Sequence, residues 1–205
     1  MDFHLTPEQL DIKKAAREFA EGEFTKVAKD CDRNELIEMD LYKKTRELGF
    51  VGIFVDEKYG GMGYGYLETA LVMEEFWRVD PGLGGALTCI SFGSEMILLF
   101  GTEEQKEKYL TSVCKGNLMS AVAVTEPDAG SDVLSVSTRA VKKDGGYLIN
   151  GSKMFISNGT IADFFVTLCL TNPEAQSKTE RHSVIVIEAN RPGVERNKLK
   201  GKLGI

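Results

Sequence analysis

The sequence is poor in the residues from which most hydrolytic and metal sites are built. Its 205 residues include only two histidines, His4 and His182. A histidine-based metal centre would therefore need both, together with carboxylates. No Gly-x-Ser-x-Gly elbow is present. The four cysteines, Cys31, Cys89, Cys114 and Cys169, lie far apart with no Cys-x-x-Cys pair, so they read as reduced thiols rather than a disulfide frame or zinc site. Basic runs go no further than a pair such as Lys142-Lys143, and 25 Lys+Arg against 31 Asp+Glu leave a net charge of −6. That balance argues against nucleic acid, whose binding rests on neutralising phosphates. The opening, Met1-Asp2-Phe3-His4-Leu5, has neither the basic nor the apolar region of a signal peptide. The longest apolar stretch, Gly82 to Phe100, is broken by Ser91, Ser94, Glu95 and several glycines, whereas a spanning helix wants about 20 continuous apolar residues. The expected setting is the cytoplasm or a similar reducing compartment, with no transmembrane segment.

What is present is ordinary globular material, 42% hydrophobic and 27% charged, long enough for one domain or two small ones. Residues 6 to about 115 carry helix punctuation. Thr6-Pro7-Glu8-Gln9 is a capping box with proline at the first helical position, and Leu10, Ala16, Phe19, Ala20, Phe24 and Val27 recur near the helical period. A second helix is expected from the cap Asp40, burying Leu41, Thr45 and Leu48 and stopping at Gly49. A glycine-rich loop, Tyr59 to Gly65, precedes a third helix that ends before Asp80-Pro81. The stretch to Phe100 reads as one central helix, and Thr102-Glu103-Glu104-Gln105 is a second capping box. From Leu118 the period shortens to two. Strands are expected over 120–125, 135–142, 147–150, 153–157, 164–171 and 183–189, with Asp144-Gly145 and Asn150-Gly151 as hairpin turns. Helices followed by strands mean an α+β chain: an all-helical domain over 1–117, then a β-domain over 118–205.

Two segments invite a chemical reading. Thr125-Glu126-Pro127-Asp128-Ala129-Gly130-Ser131-Asp132 follows an apolar strand and gathers a proline-fixed turn, a glycine and hydroxyls. Such a loop can aim backbone N–H groups and hydroxyls at electron-rich ligand atoms, and it is equally readable as a capped turn. Asn150-Gly151-Ser152-Lys153-Met154-Phe155-Ile156-Ser157-Asn158-Gly159 places Phe155 and Ser157 two apart, on one face if the segment is a strand. Phe155 then lies against a planar ring with Ser157 at its edge, or is a core phenylalanine beside a surface serine. The run Gly146 to Lys153 nearly spells a phosphate-binding loop. Ser152 separates the glycine from the lysine, however, and the context is a hairpin rather than a helix start. The Gly60–Gly65 cluster has no strand context and reads as a plain loop.

Four stretches in register, Asp56 to Gly63, Gly101 to Leu110, Val124 to Asp132 and Asn150 to Gly159, resemble the acyl-CoA dehydrogenase family over nearly the whole chain. The resemblance implies a helical domain and an incomplete antiparallel β-barrel-like middle domain, with FAD and the acyl thioester held between the middle domain and a C-terminal helical domain. It implies a flavin-contacting run, Val122 to Ser131. There Val122, Val124, Thr125, Gly130 and Ser131 hold the pyrimidine side of the isoalloxazine, and Ser131 also approaches the thioester. Phe155, Ile156 and Ser157 form the second flavin strand, with Phe155 where many relatives carry tryptophan and Ser157 where threonine is usual. In the implied reaction a carboxylate takes the α-proton of an acyl-CoA, hydride goes from Cβ to flavin N5, and electrons pass to an electron-transfer flavoprotein or similar acceptor. No residue matches the family's catalytic glutamate, which the missing C-terminal domain is expected to supply. Glu95 is the only acid worth weighing as a substitute, and a partly buried, hydrogen-bonded helix residue explains it better. The expectation is thus the N-terminal and middle portion of such an enzyme, truncated or completed by another chain, inactive alone, and homo-oligomeric when complete. The alternatives are a non-catalytic partner subunit or thioester-binding scaffold, or the same fold used as an acyl-CoA oxidase or flavin monooxygenase.

Overall fold

Capping chemistry and apolar spacing start the first helix where the sequence says they should. In a computed structural model, which describes residues 4–202, α1 runs Pro7–Asn34. The Thr6 hydroxyl accepts from Gln9 N–H at 3.2 Å, and the Gln9 side chain accepts from Thr6 N–H at 3.0 Å. The signal-peptide reading rests partly on Met1 to Phe3, outside the described residues. The described residues divide into two compact units, one reaching Met119 with a returning stretch from Leu199, the other Ser120–Lys198.

In the first unit α1 is followed by α2 (Met39–Glu47), α3 (Tyr66–Val79), α4 (Pro81–Thr88), α5 (Ser94–Phe100) and α6 (Glu103–Cys114). α1 packs on α3 through Phe19, Phe24 and Phe76, with the Phe24 and Phe76 rings 5.0 Å apart edge to face. Ala16, Phe19, Ala20 and Phe24 are buried as the period predicts, while Leu10 at the helix start is exposed. Three details depart from expectation. α2 begins one residue before Asp40, and Leu48 sits at its C-cap, exposed rather than buried. The stretch to Phe100 is not one helix. α4 ends at Thr88, a 3₁₀ turn covers Cys89–Ser91, and Gly93 at φ +94° breaks the path before α5. The Tyr59–Gly65 loop packs within this unit: a Cβ on Gly61 would lie 2.1 Å from the Val55 carbonyl oxygen.

The second unit is a five-stranded sheet of β1 (Ser120–Ala123), β2 (Arg139–Lys143), β3 (Gly146–Asn150), β4 (Phe164–Leu170) and β5 (His182–Glu188). The sheet is open, as an incomplete barrel is expected to be, and its pairing is mixed rather than wholly antiparallel. β4 takes β5 antiparallel on one edge, and on the other takes β1 parallel and then β2 parallel at Arg139–Leu170. β1 and β2 therefore share one edge of β4, and residues 124–138 leave and rejoin that edge as a loop. Asp144 (φ +48°) and Gly145 (φ +79°) make the expected tight turn of the β2–β3 hairpin. The expected strand over 153–157 does not form: those residues are irregular, with Phe155 at φ +58°. Asn150-Gly151 is no hairpin turn either. Gly151 has an ordinary φ and is needed for close packing, since its Cβ would lie 2.6 Å from Thr138 Cα.

Candidate functional site

The loop 124–138 is organised around one carboxylate. Glu126 follows β1 and is buried, and both its oxygens are fully engaged. One accepts from Ser137 N–H at 2.7 Å and the Ser137 hydroxyl at 2.8 Å. The other accepts from Thr138 N–H at 2.8 Å and the Lys153 ammonium at 2.9 Å. Burial alone would push this carboxyl up; hydrogen bonds from Thr138, Lys153 and Ser137 outweigh it and hold the group well below the ordinary carboxylate range. The backbone of Glu126 also exchanges hydrogen bonds with Ala129, closing the turn across Pro127-Asp128.

Lys153 draws the second segment against the first. Its ammonium, with the side chain only 11% exposed, donates to the Val124 carbonyl at 2.9 Å as well as to Glu126. One residue on, Met154 N–H donates to the Thr125 carbonyl at 2.8 Å. The two segments singled out from sequence are thus tied side by side, though by a lysine and a single backbone bond rather than by strand pairing. This engagement also disposes of the phosphate-loop likeness. Gly146–Asn150 is β3, and the Lys153 ammonium is already spoken for.

Of the eight residues expected to face a flavin, Val122, Val124, Thr125 and Ile156 are half-buried, and Gly130, Ser131, Phe155 and Ser157 are exposed. Phe155 is 67% exposed and held at φ +58°, a backbone state that costs a non-glycine residue about 1–3 kcal/mol and persists only where surroundings enforce it. Its neighbours supply that enforcement: Met154 is bonded to Thr125, and Gly159 N–H returns to the Ile156 carbonyl at 2.9 Å. Among the described residues no partner takes up the hydroxyls of Thr125, Ser131 or Ser157. A Cβ on Gly130 would meet open space, so nothing in the chain itself requires glycine there. The arrangement offers hydroxyls, a bare loop and a flat aromatic face beside one another, with Glu126 and Lys153 as the frame. Sequence reasoning passed over that frame. Its signal was the lone lysine of the second motif set against the carboxylates Glu126, Asp128 and Asp132 of the first.

Elsewhere, Glu95 accepts from Gly93 N–H at 2.9 Å and so caps its own helix. His182 Nδ1 lies 3.0 Å from the Lys178 carbonyl, and among the described residues no group of three His, Cys, Asp or Glu is placed to hold a metal.

Comparison with known proteins adds a family. The family model described as "Acyl-CoA dehydrogenase, N-terminal domain" matches residues 6–117, and "Acyl-CoA dehydrogenase, middle domain" matches residues 121–205. A curated acyl-CoA dehydrogenase of Bacillus subtilis (strain 168) is 40% identical over 205 residues, 98% of this chain and 53% of its own length. The structure described as the electron transferring flavoprotein of Acidaminococcus fermentans aligns with TM-score 0.88 and 38% identity, over 98% of this chain and 53% of that one. An acyl-CoA dehydrogenase complexed with FAD, from Bacillus anthracis, aligns with TM-score 0.84 and 31% identity, over 97% of this chain and 34% of that one. The chain spans about half the length of the curated relatives it matches.

Proposed function

The chain belongs to the acyl-CoA dehydrogenase family, and from that premise we propose that it is the N-terminal and middle part of an FAD-dependent enzyme oxidising an acyl-CoA thioester between Cα and Cβ. The observation that carries the reading is the convergence of 124–131 and 153–157, which leaves three hydroxyls and one exposed ring without partners among the described residues. Those residues fit a flavin. Val122, Val124, Thr125 and the Gly130–Ser131 turn would hold the pyrimidine edge, where hydroxyl and N–H donors suit its oxygens and nitrogens. The bare space at Gly130 lets backbone approach closely. Phe155 would lie against the ring, and Ile156 and Ser157 along its edge. Ser131 would also meet the thioester. When bound, FAD supplies at N5 the acceptor for the hydride that leaves Cβ.

The α-proton needs a base, and neither Glu126 nor Glu95 serves. Glu126 is held ionised by four hydrogen bonds and is too weak a base, and Glu95 is committed to a helix cap. That role falls to a carboxylate beyond the described residues, on a helical domain completing the site from the same or another chain. The electrons would go on to an electron-transfer flavoprotein or similar acceptor. The assembly would be a cytoplasmic homo-oligomer, a setting that suits four free cysteines.

The test is a titration of the FAD-loaded protein, assembled with the helical domain that completes the site, with a panel of acyl-CoAs. Loss of the oxidised flavin's visible absorbance with one acyl class, without oxygen consumption, is the expected result. Failure of the protein to take up FAD would sink the reading. Flavin retained but unchanged by every acyl-CoA would favour a non-catalytic scaffold, and oxygen-consuming turnover an oxidase or monooxygenase.

A further inference from the structure

The peptide unit joining Val124 to Thr125 is in an unusual electrostatic position. Its oxygen accepts from the Lys153 ammonium at 2.9 Å, while its N–H, that of Thr125, meets no acceptor among the described residues. An amide whose oxygen is bonded to a cation has its electron density drawn toward that oxygen, which leaves the N–H more positive and a stronger donor. Polarisation along hydrogen-bonded chains of this kind is worth roughly 10–30% of a bond. Here the cation is largely screened from water, with the Lys153 side chain 11% exposed, so its field is not dissipated. Thr125 also carries one of the hydroxyls left without a partner, so amide and hydroxyl donors come from the same residue.

We infer that Lys153 is a positioning residue that polarises the Val124–Thr125 peptide from behind, strengthening Thr125 N–H as a donor to the electron-rich edge of the flavin. This rests on the function proposed above and deepens it. Reduction places negative charge on the flavin, so a strengthened donor favours the reduced form. Glu126, 2.9 Å from the same ammonium, offsets part of the charge, which makes the two residues electrostatic opposites although they are structural partners. If the pair only tied the two segments together, losing either member would loosen the site in the same way.

That opposition is the test. The reduction potential of the bound flavin is measured in the wild-type protein and in Lys153→Met, Lys153→Arg and Glu126→Gln. The potential should fall in Lys153→Met, rise in Glu126→Gln and hold in Lys153→Arg, and Lys153→Met should weaken FAD binding by roughly tenfold, the equivalent of one hydrogen bond. In the same series without flavin, the Thr125 amide proton resonance should move in Lys153→Met and stay in Lys153→Arg. Shifts of the same sign in Lys153→Met and Glu126→Gln, or no shift, would overturn the inference, as would an unmoved Thr125 amide. Because the amide series needs no flavin, a wild-type protein that binds no FAD would be recognised as a failure of the proposed function and not of the polarisation.

Discussion

Each unit buries one glutamate, and the two are held in opposite ways. Glu75, on α3, is 1% exposed and is gripped by the side chains of Arg17 at 2.8 and 2.9 Å and Arg78 at 2.9 Å, with Lys13 at 3.6 Å. Both arginines are nearly half exposed, so their charges stay in contact with water. Glu126 in the sheet unit is gripped chiefly by backbone N–H groups and by a lysine whose side chain is only 11% exposed. The first arrangement staples two helices that already pack through Phe19, Phe24 and Phe76. The second gives shape to loops with no regular structure of their own. A carboxylate added to a pre-formed interface is a refinement; one on which two irregular segments converge is a foundation.

That contrast breaks or survives on paired substitutions. Glu126→Ala leaves Lys153 buried without its counter-ion and orphans the N–H groups of Ser137 and Thr138, a loss of about 3–5 kcal/mol. Glu75→Ala frees arginines that can rehydrate, so its cost is smaller, about 1–2 kcal/mol. Denaturant unfolding with probes in each unit measures both, and equal losses would erase the distinction. Acid sharpens it next. Hydrogen bonding to Arg17, opposed by burial and reinforced by Arg78, brings the Glu75 carboxyl down from 4.5 to about 2. A folded-state pKa below the unfolded one adds stability that is complete above about pH 4.5 and is lost as pH falls through 2. The unfolding midpoint of the helical unit should therefore drop over that window, and Glu75→Gln should flatten the drop.

The difference between the units also explains what could be read in advance. α1 and α6 were legible because the information is local: Thr6 and Thr102 announce their helices three residues ahead of Gln9 and Gln105, and the apolar spacing follows. The break between α4 and α5 was not legible, because composition alone does not distinguish a continuous apolar helix from one turned by Gly93. In the sheet unit the apolar runs marked five of the six expected strands, and the Asp144-Gly145 turn paired β2 with β3, but the remaining partners were not legible. The parallel placement of β1 and β2 on β4 depends on residues more than thirty positions apart. Phe155 and Ser157 were singled out on the assumption of a strand, which the segment does not form. The segment is irregular because its contacts are with Glu126 and Thr125, which no local pattern announces.

Two glycines extend the comparison within the sheet unit. Gly151→Ala forces a methyl to within 2.6 Å of Thr138 Cα, backbone that cannot step aside, at a cost of about 1–3 kcal/mol. Gly130→Ala puts the same methyl into open space at an ordinary φ and should leave stability within about 0.5 kcal/mol of wild type. FAD titration should reverse the order. Gly130→Ala is the variant whose affinity suffers directly, because its new methyl occupies the face on which the loop would meet the ligand.

A change in stability almost as small is expected at Phe155, and it separates a ring kept for packing from a ring kept for a ligand. A phenylalanine such as Phe24, fully buried against Phe19 and Phe76, loses about 3–5 kcal/mol on truncation to alanine. Phe155 is 67% exposed, so little packing is lost with it. At φ +58° glycine relieves backbone strain of about 1–3 kcal/mol, while the freer unfolded chain takes back about 0.5–1 kcal/mol. Phe155→Gly should therefore unfold within about 1 kcal/mol of wild type or slightly later. FAD affinity should fall by roughly three- to tenfold, the worth of one aromatic contact. Were the variant instead to lose stability on the scale of Phe24→Ala with its flavin affinity intact, the ring would belong to the core of the unit. The strained backbone that presents it would then have no ligand to explain it.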